Sequence, residues 1–425
     1  MSFAALNLHP TLLRAVEALG FTAPTPIQRD AIPPARAGRD VLACAMTGSG
    51  KTAAFLLPII ERLMAKPRGV TRALVIAPTR ELAAQIDADL RDLARFTPVR
   101  GAAVFGGVSM GPQEAALRRG VDVIVATPGR LLDHMQYPYA RLEGLEVLVL
   151  DEADRMLDMG FLPDIRRILG RLPRQRQTLL FSATMPAPIA ALAREFLRDP
   201  LPINQERKAA PASGITHAVY PVAQELKSSL LQALLNGGVD DMRSVLVFTR
   251  TKHRCNRLAE QLTRAGFPTE RIHGNRSQAQ RTVALDAFKR GKARVLVATD
   301  IAARGIDIDE LSHVVNFDVP HVAEDYIHRA GRTARAGAVG EAVTFVAPDE
   351  MGGLRAIERA LGASLPRLTL AGFNYAGRPA EKLEVPVATR IAAIRARRAD
   401  ERARARMKAA HRAAGRPSPA GQRGR

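Results

Sequence analysis

A glycine-rich stretch of the sequence has the residue types that bind phosphate. Gly48 and Gly50, within ACAMTGSGKT, lie between a candidate strand and a candidate helix. Glycines allow a loop whose backbone N–H groups point at a phosphate, and the following helix adds the positive end of its dipole. Lys51 can reach the β- and γ-phosphates, and Thr52 can place its hydroxyl on Mg²⁺. The predicted phosphate-binding residues are Ala45, Met46, Thr47, Gly48, Ser49, Gly50, Lys51 and Thr52.

Two carboxylates follow the most apolar of the candidate strands. In VLVLDEAD, Asp151 and Glu152 come directly after four aliphatic residues. One interpretation is a strand that ends in a solvated acidic turn. The other is a site for Mg²⁺ and phosphate, because ligands of parallel α/β sheets bind beyond the carboxyl ends of the strands. The phosphate loop favours the second interpretation, in which Asp151 holds the metal ion and Glu152 orients and deprotonates an attacking water.

Apolar runs that alternate with amphipathic stretches must position these groups. Six candidate strands lie in the first half of the chain, at 40–45, 72–78, 101–105, 121–127, 145–151 and 177–183. Five more lie in the second half, at 244–249, 269–274, 293–300, 312–318 and 341–348. This alternation predicts mainly parallel sheets that helices cover on both faces. We therefore expect an α/β protein with domains 1–205 and 216–375, a linker 206–215, and a basic, disordered tail 376–425.

The charge of the chain points to a polyanionic partner. The formal net charge is +20, and residues 390–425 carry twelve Lys or Arg against two acidic residues. Nucleic acid fits this charge better than a membrane does, because the sequence has neither a long amphipathic anchor nor an apolar run of membrane-spanning length. The two cysteines, Cys44 and Cys255, are too far apart for metal-ligand spacing and favour a reducing compartment. We expect a cytoplasmic protein.

Further motifs follow one another in the order found in DEAD-box RNA helicases, and residues 1–370 resemble that family. The first half contains GFTAPTPIQ (the Q motif), AMTGSGKT, PTRELA, GG, TPGR, DEAD and SAT. The second half contains VLVFTRT, SQAQR, ATDIAARGIDI and HRAGRTARAG. Ala45, where the generic phosphate loop has glycine, agrees with this family. The phrases DEADRMLDMGF and HGNRSQ most resemble the bacterial RhlE branch. The resemblance implies two tandem RecA-like domains and an ATP-dependent RNA helicase.

The resemblance also implies which residues contact ATP. Gln28 would pair with adenine through its amide, as glutamine does when it recognises adenine in DNA. Phe21 would stack on the base, although its residue type alone also fits a core aromatic. Asp307 would contact the ribose. Arg332 and Arg335 would be arginine fingers, whereas their spacing alone fits a solvated basic face. The implied catalytic residues are Lys51, Asp151, Glu152, His328, Arg332 and Arg335.

Residues of several other motifs would hold the RNA backbone. Loop-to-helix junctions offer backbone N–H groups, and Arg80 or Arg130 can bind phosphates beside them. Aromatic residues make up only 4% of the chain, so base stacking is not expected to dominate RNA binding. Ser182 and Thr184 would couple ATP to RNA, although SAT alone would indicate only a strand end. The implied RNA contacts are Pro78, Thr79, Arg80, Gly106, Gly107, Thr127, Pro128, Gly129, Arg130, Gln278, Arg281, Thr299 and Asp300.

The expected function is RNA-stimulated ATP hydrolysis coupled to local, non-processive unwinding of short RNA duplexes and remodelling of RNA–protein complexes. The expected cofactors are ATP and Mg²⁺. The expected partner is RNA, single-stranded or in short duplexes, with ribosome-assembly or RNA-decay proteins as candidate protein partners. One alternative is a related helicase that acts on DNA, which the Q motif and DEAD disfavour. Another is a protein that binds or anneals nucleic acid through its basic tail, with ATP hydrolysis secondary.

Overall fold

Two parallel β-sheets, each flanked by helices, make up the protein. The computed structural model describes residues 2–45, 48–204, 214–238, 242–303, 311–320, 322–333 and 340–377. Most of the expected linker 206–215 and nearly all of the expected tail 376–425 lie outside the described residues. The domain limits therefore stay a prediction. Within the described residues, no helix is long and apolar enough to cross a membrane.

The first sheet has seven strands. They are β1 (Val41–Cys44), β2 (Ala73–Ile76), β3 (Gly101–Val104), β4 (Val123–Ala126), β5 (Val147–Leu150), β6 (Gln177–Ser182) and β7 (Leu201–Asn204). Their order across the sheet is β3-β4-β2-β5-β6-β1-β7, and all neighbours pair in parallel. Strands β2, β4, β5 and β6 are buried at every residue, which explains their continuous apolar sequences.

Nine α-helices belong to the described part of this half. They are α1 (Pro10–Ala18), α2 (Pro26–Arg36), α3 (Lys51–Met64), α4 (Arg80–Leu93), α5 (Gly111–Arg119), α6 (Pro128–His134), α7 (Ala153–Asp158), α8 (Leu162–Leu169) and α9 (Ala187–Phe196). Two apolar clusters form the core, one on each face of the sheet. Phe55 of α3 packs with Phe181 of β6 in the first cluster, and Leu148 of β5 packs with Ile165 of α8 in the second.

The second sheet has six strands. They are β8 (Ile215–Pro221), β9 (Val245–Phe248), β10 (Thr269–Ile272), β11 (Val295–Ala298), β12 (His313–Asn316) and β13 (Gly340–Val346). All pair in parallel in the order β10-β11-β9-β12-β13-β8. The α-helices described in this half are α10 (Lys227–Ala233), α11 (Lys252–Arg264), α12 (Gln278–Lys289), α13 (Asp300–Ala303), α14 (Ala323–Ala330) and α15 (Met351–Leu361). The predicted α/β fold with two parallel sheets is thus confirmed.

The order of the strands brings the predicted motifs together. The phosphate loop follows β1, DEAD follows β5, and SAT begins at the end of β6. Strand β6 lies between β1 and β5 in the sheet. Because parallel strands all end at the same edge, these three motifs lie side by side beyond the carboxyl ends of their strands.

Candidate active site and nucleic-acid interface

The phosphate loop has the backbone conformation that its glycines permit. Gly48 and Gly50 have φ angles of +82° and +88°, in the left-handed region that glycine adopts without strain. Helix α3 begins directly after them at Lys51, and Thr52 is its second residue. The Oγ of Ser49 is buried and has no hydrogen-bond partner among the described residues, a state that a bound ligand would relieve. Met46 and Thr47 lie outside the described residues.

Lys51 lies against both predicted carboxylates. Its Nζ is 2.6 Å from Oδ1 of Asp151 and 3.4 Å from Oε1 of Glu152, and the side chains of all three residues are at least nine-tenths buried. Burial acts to lower the pKa of Lys51, but the neighbouring carboxylates outweigh it and raise that pKa. Burial disfavours the charged form of Asp151 too and so raises its pKa, although the positive charge of Lys51 acts to lower it. The lysine therefore stays protonated at neutral pH.

Glu152 occupies a strained turn between β5 and α7. Its φ angle is +54°, one of three positive values at non-glycine residues in the described part of the chain. This conformation lets the chain pass from the end of the strand into the helix without a connecting loop. Oε2 of Glu152 is also 3.2 Å from Nη1 of Arg155. Strain of this kind concentrates at functional sites, and here it directs a carboxylate toward the phosphate loop.

Asp154 links DEAD to SAT through three hydrogen bonds to one oxygen. The backbone N–H groups of Ala183 and Thr184 donate to Oδ2 of Asp154 at 3.1 and 2.8 Å, and Oγ1 of Thr184 donates to it at 3.0 Å. The Oγ of Ser182 accepts from the backbone N–H of Asp154 at 3.1 Å and donates to the carbonyl of Thr184 at 2.7 Å. A displacement of DEAD must therefore also move SAT.

The Q motif is tied to the phosphate loop. Nε2 of Gln28 donates to the carbonyl of Gly50 at 3.0 Å, and its Oε1 accepts from the backbone N–H of Thr25 at 2.9 Å. A Cβ at Gly50 would lie 2.6 Å from Nε2 of Gln28, so only glycine fits there. The Phe21 ring is 41% exposed and stacks on Phe3 with ring centroids 6.2 Å apart, so it is not a core aromatic.

Residues of the second half complete the surroundings of DEAD. His328 interacts electrostatically with Asp154 and Arg155 of the first half and with the buried Arg332. Burial, followed by the charge of Arg155, lowers the pKa of His328 to about 4. The imidazole is therefore neutral at physiological pH. The predicted ATP-contacting residues Asp307 and Arg335 lie outside the described residues.

Two arginines predicted to bind RNA converge on the loop that contains the GG motif. The guanidinium of Arg80 lies against Gly106 and Gly107, and a Cβ at Gly107 would be 2.0 Å from its Nη1. Both Nη atoms of Arg130 donate to the carbonyl of Val108 at 3.2 Å. Around them, Pro78 and Thr79 immediately precede α4, while Thr127 caps the N-terminus of α6, which begins with Pro128, Gly129 and Arg130.

Two further residues predicted to bind RNA, Gln278 and Arg281, contact Glu81 across the cleft. Glu81 follows Arg80 in the first turn of α4, and the other two residues belong to α12 of the second half. Nε2 of Gln278 donates to Oε1 of Glu81 at 2.9 Å, and Nη2 of Arg281 is 2.9 Å from Oε2. The Glu81 and Arg281 side chains are only 6% and 10% exposed. These contacts join the two halves beside the RNA motifs.

The last two predicted RNA contacts lie at the end of β11. Thr299 and Asp300 are half-buried where this strand passes into α13. The Asp300 carboxylate forms a bidentate ion pair with Arg329. Its Oδ1 accepts from Nε at 2.6 Å and its Oδ2 accepts from Nη2 at 2.7 Å. Because Arg329 belongs to α14, the helix that leads to Arg332, the pair joins the RNA motif to the segment with the predicted fingers.

Comparisons with known proteins decide the family. The model for DEAD/DEAH box helicases matches residues 25–192, and the model for the helicase conserved C-terminal domain matches residues 226–337. The DEAD-box ATP-dependent RNA helicase CshA of Bacillus subtilis is 44% identical over 368 residues, which are 87% of this chain and 74% of that protein. The chain belongs to the DEAD-box helicases. It is therefore an ATP-hydrolysing RNA helicase, and the predicted RhlE branch is not supported, since this relative is named CshA.

Solved helicase structures share the fold of this chain. A variant of S. cerevisiae Dbp5 bound to RNA and ADP BeF3 is 31% identical and aligns with a TM-score of 0.80 over 87% of this chain and 96% of that one. Mss116p bound to ssRNA and AMP-PNP is 28% identical and gives 0.78 over 86% and 78%. A Dbp5 variant bound to Nup159, Gle1, IP6 and ADP, at 30% identity, gives 0.61 over 85% and 95%. Of these three structures, the two that contain RNA align with the higher TM-scores.

Sequence reasoning missed three links within this helicase. Gln28 holds the phosphate loop, and the T-x-x-Q capping pattern at Thr25 predicts the helix start but not the bond to Gly50. Asp154 joins DEAD to SAT, and only its place in the acidic cluster hinted at a role. Glu81 joins the two halves, for which no sequence signal existed because its partners lie about 200 positions away.

Proposed function

We propose that this helicase uses ATP-driven closure of its two halves to separate short RNA duplexes locally and without processive movement. The observation that carries this proposal is the contact of Glu81 with Gln278 and Arg281 across the cleft, made by residues flanking or within the RNA motifs. A closed cleft can hold one RNA strand in a bent path that a duplex cannot follow. The few base pairs within the cleft then separate, and reopening releases the strand.

The phosphate loop would hold the ATP phosphates before closure. Lys51 would exchange its pairing with Asp151 for the β- and γ-phosphates, which keeps its charge compensated in a buried site. Gly48 and Gly50 would let the backbone approach, and the buried Oγ of Ser49 would gain a partner. Gln28 would fix the loop through Gly50 and present its remaining hydrogen-bonding capacity to adenine.

The residues present also fit Mg²⁺. Oδ2 of the fully buried Asp151 has no hydrogen-bond partner among the described residues, and Thr52 lies in the first turn of α3. The described residues contain no cluster of three His, Cys, Asp or Glu side chains, so phosphate oxygens and water would supply the other ligands. When bound, Mg²⁺ would neutralise charge on the β- and γ-phosphate oxygens.

Glu152 would act as the general base. Its left-handed turn directs the carboxylate toward the phosphate loop, where it can orient a water molecule and accept its proton. Lys51 and Arg155 place two positive charges beside this carboxylate. Arg332 and Arg335 would stabilise charge on the γ-phosphate from the second half, so hydrolysis would depend on closure.

RNA would be held by its backbone. Arg80 and Arg130 flank the GG loop and offer phosphates two guanidinium groups beside the N-termini of α4 and α6. Contacts of this kind carry little sequence information, so low sequence specificity is expected.

We further propose domain limits at 205 and 216, a cytoplasmic location, a tail beyond 375 that binds RNA, and RNA–protein assemblies as substrates. The subfamily closest to this function would be the CshA-like helicases.

A strand-displacement assay tests the proposed function. Duplexes of increasing length, each with a labelled strand, are mixed with the protein, ATP and Mg²⁺. Local unwinding predicts that the rate of strand release falls steeply with duplex length and that a single-stranded extension of either polarity, or none, serves equally. Rates that are independent of length, or that require one polarity of extension, would indicate processive translocation instead.

A further inference from the structure

A recess of about 500 Å³ opens at the edge of the first sheet that is opposite to the ATP site. Three loops that precede β2, β4 and β5 form its walls, with Val70, Arg118, Tyr139 and Arg141 among the lining residues. The ATP motifs follow the carboxyl ends of the strands, whereas these loops lie at the amino ends. The recess is therefore separate from the cleft between the two halves.

Exposed apolar groups surround the recess. Tyr137 is 51% exposed and Val70 is 38% exposed. The Tyr137 ring stacks on that of Tyr139, with centroids 5.3 Å apart and planes at 6°, and the Arg118 guanidinium lies 4.7 Å from the centre of the Tyr139 ring. Stacking holds the exposed Tyr137 ring in one orientation, so little side-chain conformational entropy is lost when a ligand binds to it. Tyrosine and arginine are residue types that carry much of the binding energy of protein interfaces.

A buried chain of hydrogen bonds leads from the recess to the RNA side. Nε2 of Gln113 donates to the carbonyls of Phe105 and Ser109 at 3.1 and 3.2 Å, so its Oε1 accepts from Nε2 of His134, 3.4 Å away. Burial lowers the pKa of His134, so its imidazole is neutral and Nδ1 is an acceptor. The hydroxyl of Tyr139 donates to that Nδ1 at 3.0 Å. Every donor in this chain thus has an acceptor.

One end of this chain of hydrogen bonds lies at the recess and the other at the residues predicted to bind RNA. Phe105 and Ser109 flank the GG loop, and His134 is the last residue of α6, whose first turn contains Pro128, Gly129 and Arg130. A ligand that fixes Tyr139 would therefore restrict both RNA-contacting segments of the first half. This coupling rests on the RNA contacts proposed above, whereas binding in the recess itself does not.

We propose that the recess docks an acidic peptide segment of a partner protein that carries one aromatic or aliphatic anchor residue. The stacked tyrosines receive the anchor, and carboxylates of the peptide pair with Arg141 and with the exposed Arg119, whereas Arg118 is already paired with Glu114 and Arg68 with Asp122. Docking holds Tyr139 in its bond to His134 and so favours the RNA-binding arrangement of the GG loop. RNA fits less well, because only one ring is widely exposed, whereas single-stranded RNA stacks successive bases on several rings.

Fluorescence anisotropy tests the docking with a labelled peptide in which aspartates flank a single phenylalanine on both sides. The full chain should bind this peptide, and Tyr137→Ala and Arg141→Glu should each weaken binding about tenfold. Arg290→Glu, the same charge change at an exposed site of the second half, is the matched control and should bind like the parent. A peptide with lysines in place of the aspartates should not bind. Equal affinity of all four proteins, or no binding at about millimolar peptide, would overturn the proposal.

The coupling is measured as RNA affinity with and without the same peptide. Saturating peptide should tighten binding of a single-stranded RNA several-fold, and Gln113→Leu should remove this effect while peptide binding persists. An unchanged RNA affinity with intact peptide binding would overturn the coupling and leave the docking site. If Tyr137→Ala weakens RNA binding when no peptide is present, the recess is an RNA site and the peptide proposal is wrong. Neither result depends on the ATP chemistry proposed for Lys51 and Glu152.

Discussion

The turn at Glu152 shows how a single residue serves two requirements. The strand before it must be apolar to be buried in the sheet, and the carboxylate after it must reach the phosphates. A left-handed residue meets both, because the chain passes from β5 to α7 with only Asp151 and Glu152 between them. The sequence motif predicts that Asp151 and Glu152 lie near Lys51, since a phosphate loop and an acidic strand end have few other uses. It does not predict the backbone strain.

Replacement of this carboxylate by an amide tests its proposed role. Glu152→Gln keeps the shape and hydrogen bonding of the side chain but loses its ability to accept a proton, so ATP turnover should fall by roughly 10²-fold or more. Binding of ATP and RNA should persist. Glu146→Gln, at the amino end of the same strand, is the matched control and should turn over ATP normally. Near-normal hydrolysis by Glu152→Gln would remove the general base from the mechanism.

We expect His328 to make closure sensitive to pH. Its pKa is about 4 when it is buried beside Arg155, against an ordinary value of about 6.5. The His328 imidazole binds a proton more weakly in the closed arrangement than when it is exposed to solvent. The closed arrangement is therefore favoured above pH 6.5 and is disfavoured as pH falls from 6.5 toward 4. RNA affinity in the presence of AMP-PNP should therefore drop on acidification, by at most tenfold per pH unit.

His328→Asn is the comparison that isolates this effect. The variant has no titrating group at this position, so its RNA affinity with AMP-PNP should vary less between pH 6.5 and 5 than that of the parent. The pH dependence without nucleotide should be the same for both proteins. Parallel profiles for parent and variant in the presence of AMP-PNP would show that closure does not depend on the neutral imidazole.

At the scale of elements, helices α4 and α12 contact each other between the two halves, and we call this contact of Glu81 with Gln278 and Arg281 the latch. Each begins at an RNA motif, and Glu81 in the first turn of α4 meets Gln278 and Arg281 in the first turn of α12. Removing one partner leaves a buried charge unpaired, which costs more than removing both. The resemblance to the family assigned Gln278 and Arg281 to RNA, and the contact with Glu81 is a feature that only the folded chain displays.

A double-mutant cycle separates the latch from direct RNA binding. Glu81→Ala and Arg281→Ala should each weaken RNA binding in the presence of AMP-PNP by about tenfold, and the double variant should be little worse than either single one. The coupling energy should exceed about 1 kcal/mol. Additive losses would mean that Arg281 contributes to RNA binding independently of Glu81.

The sequence predicted eleven of the thirteen described strands, and the two missed strands share a feature that hides them in the sequence. The eleven predicted strands coincide with β1–β6 and β9–β13, and the central strands β2, β4, β5, β9 and β11 are continuous apolar runs because they are buried on both faces. Strands β7 and β8 are edge strands that contain Pro202 and Pro221. An edge strand pairs on one side only and therefore tolerates proline, which weakens the strand signal of β7 and β8, whereas the edge strands β3 and β10 contain no proline.

At the scale of the whole molecule, the chain after α15 fixes the point from which the tail starts. The backbone N–H of Val219 in β8 donates to the carbonyl of Pro366, and that of Leu368 donates to the carbonyl of Val219, both at 2.8 Å. Phe373 and Tyr375 then pack on the core of the second half. The sequence shows the charge of residues 378–425, which lie outside the residues that the structure describes.

Removal of the tail tests whether it tethers RNA. A chain that ends at Gly377 keeps every residue that the structure describes and loses half of the formal net charge of +20, so RNA affinity should fall. The slope of log affinity against log salt should flatten by about 0.7 for each phosphate of a single strand that the tail neutralises in the full chain. ATP turnover at saturating RNA should barely change. Identical slopes and affinities for the full and shortened chains would favour a tail that only keeps the protein in solution.

The central claim is that RNA completes an ATP site which the two halves share. Glu81 and His328 make contacts between the two halves, one beside the predicted RNA motifs and one beside DEAD. The most direct test is the steady-state rate of ATP hydrolysis with saturating single-stranded RNA, with DNA of the same sequence, and with no nucleic acid. RNA should raise the rate several-fold and DNA should leave it near the basal value. Equal rates under all three conditions would contradict the account.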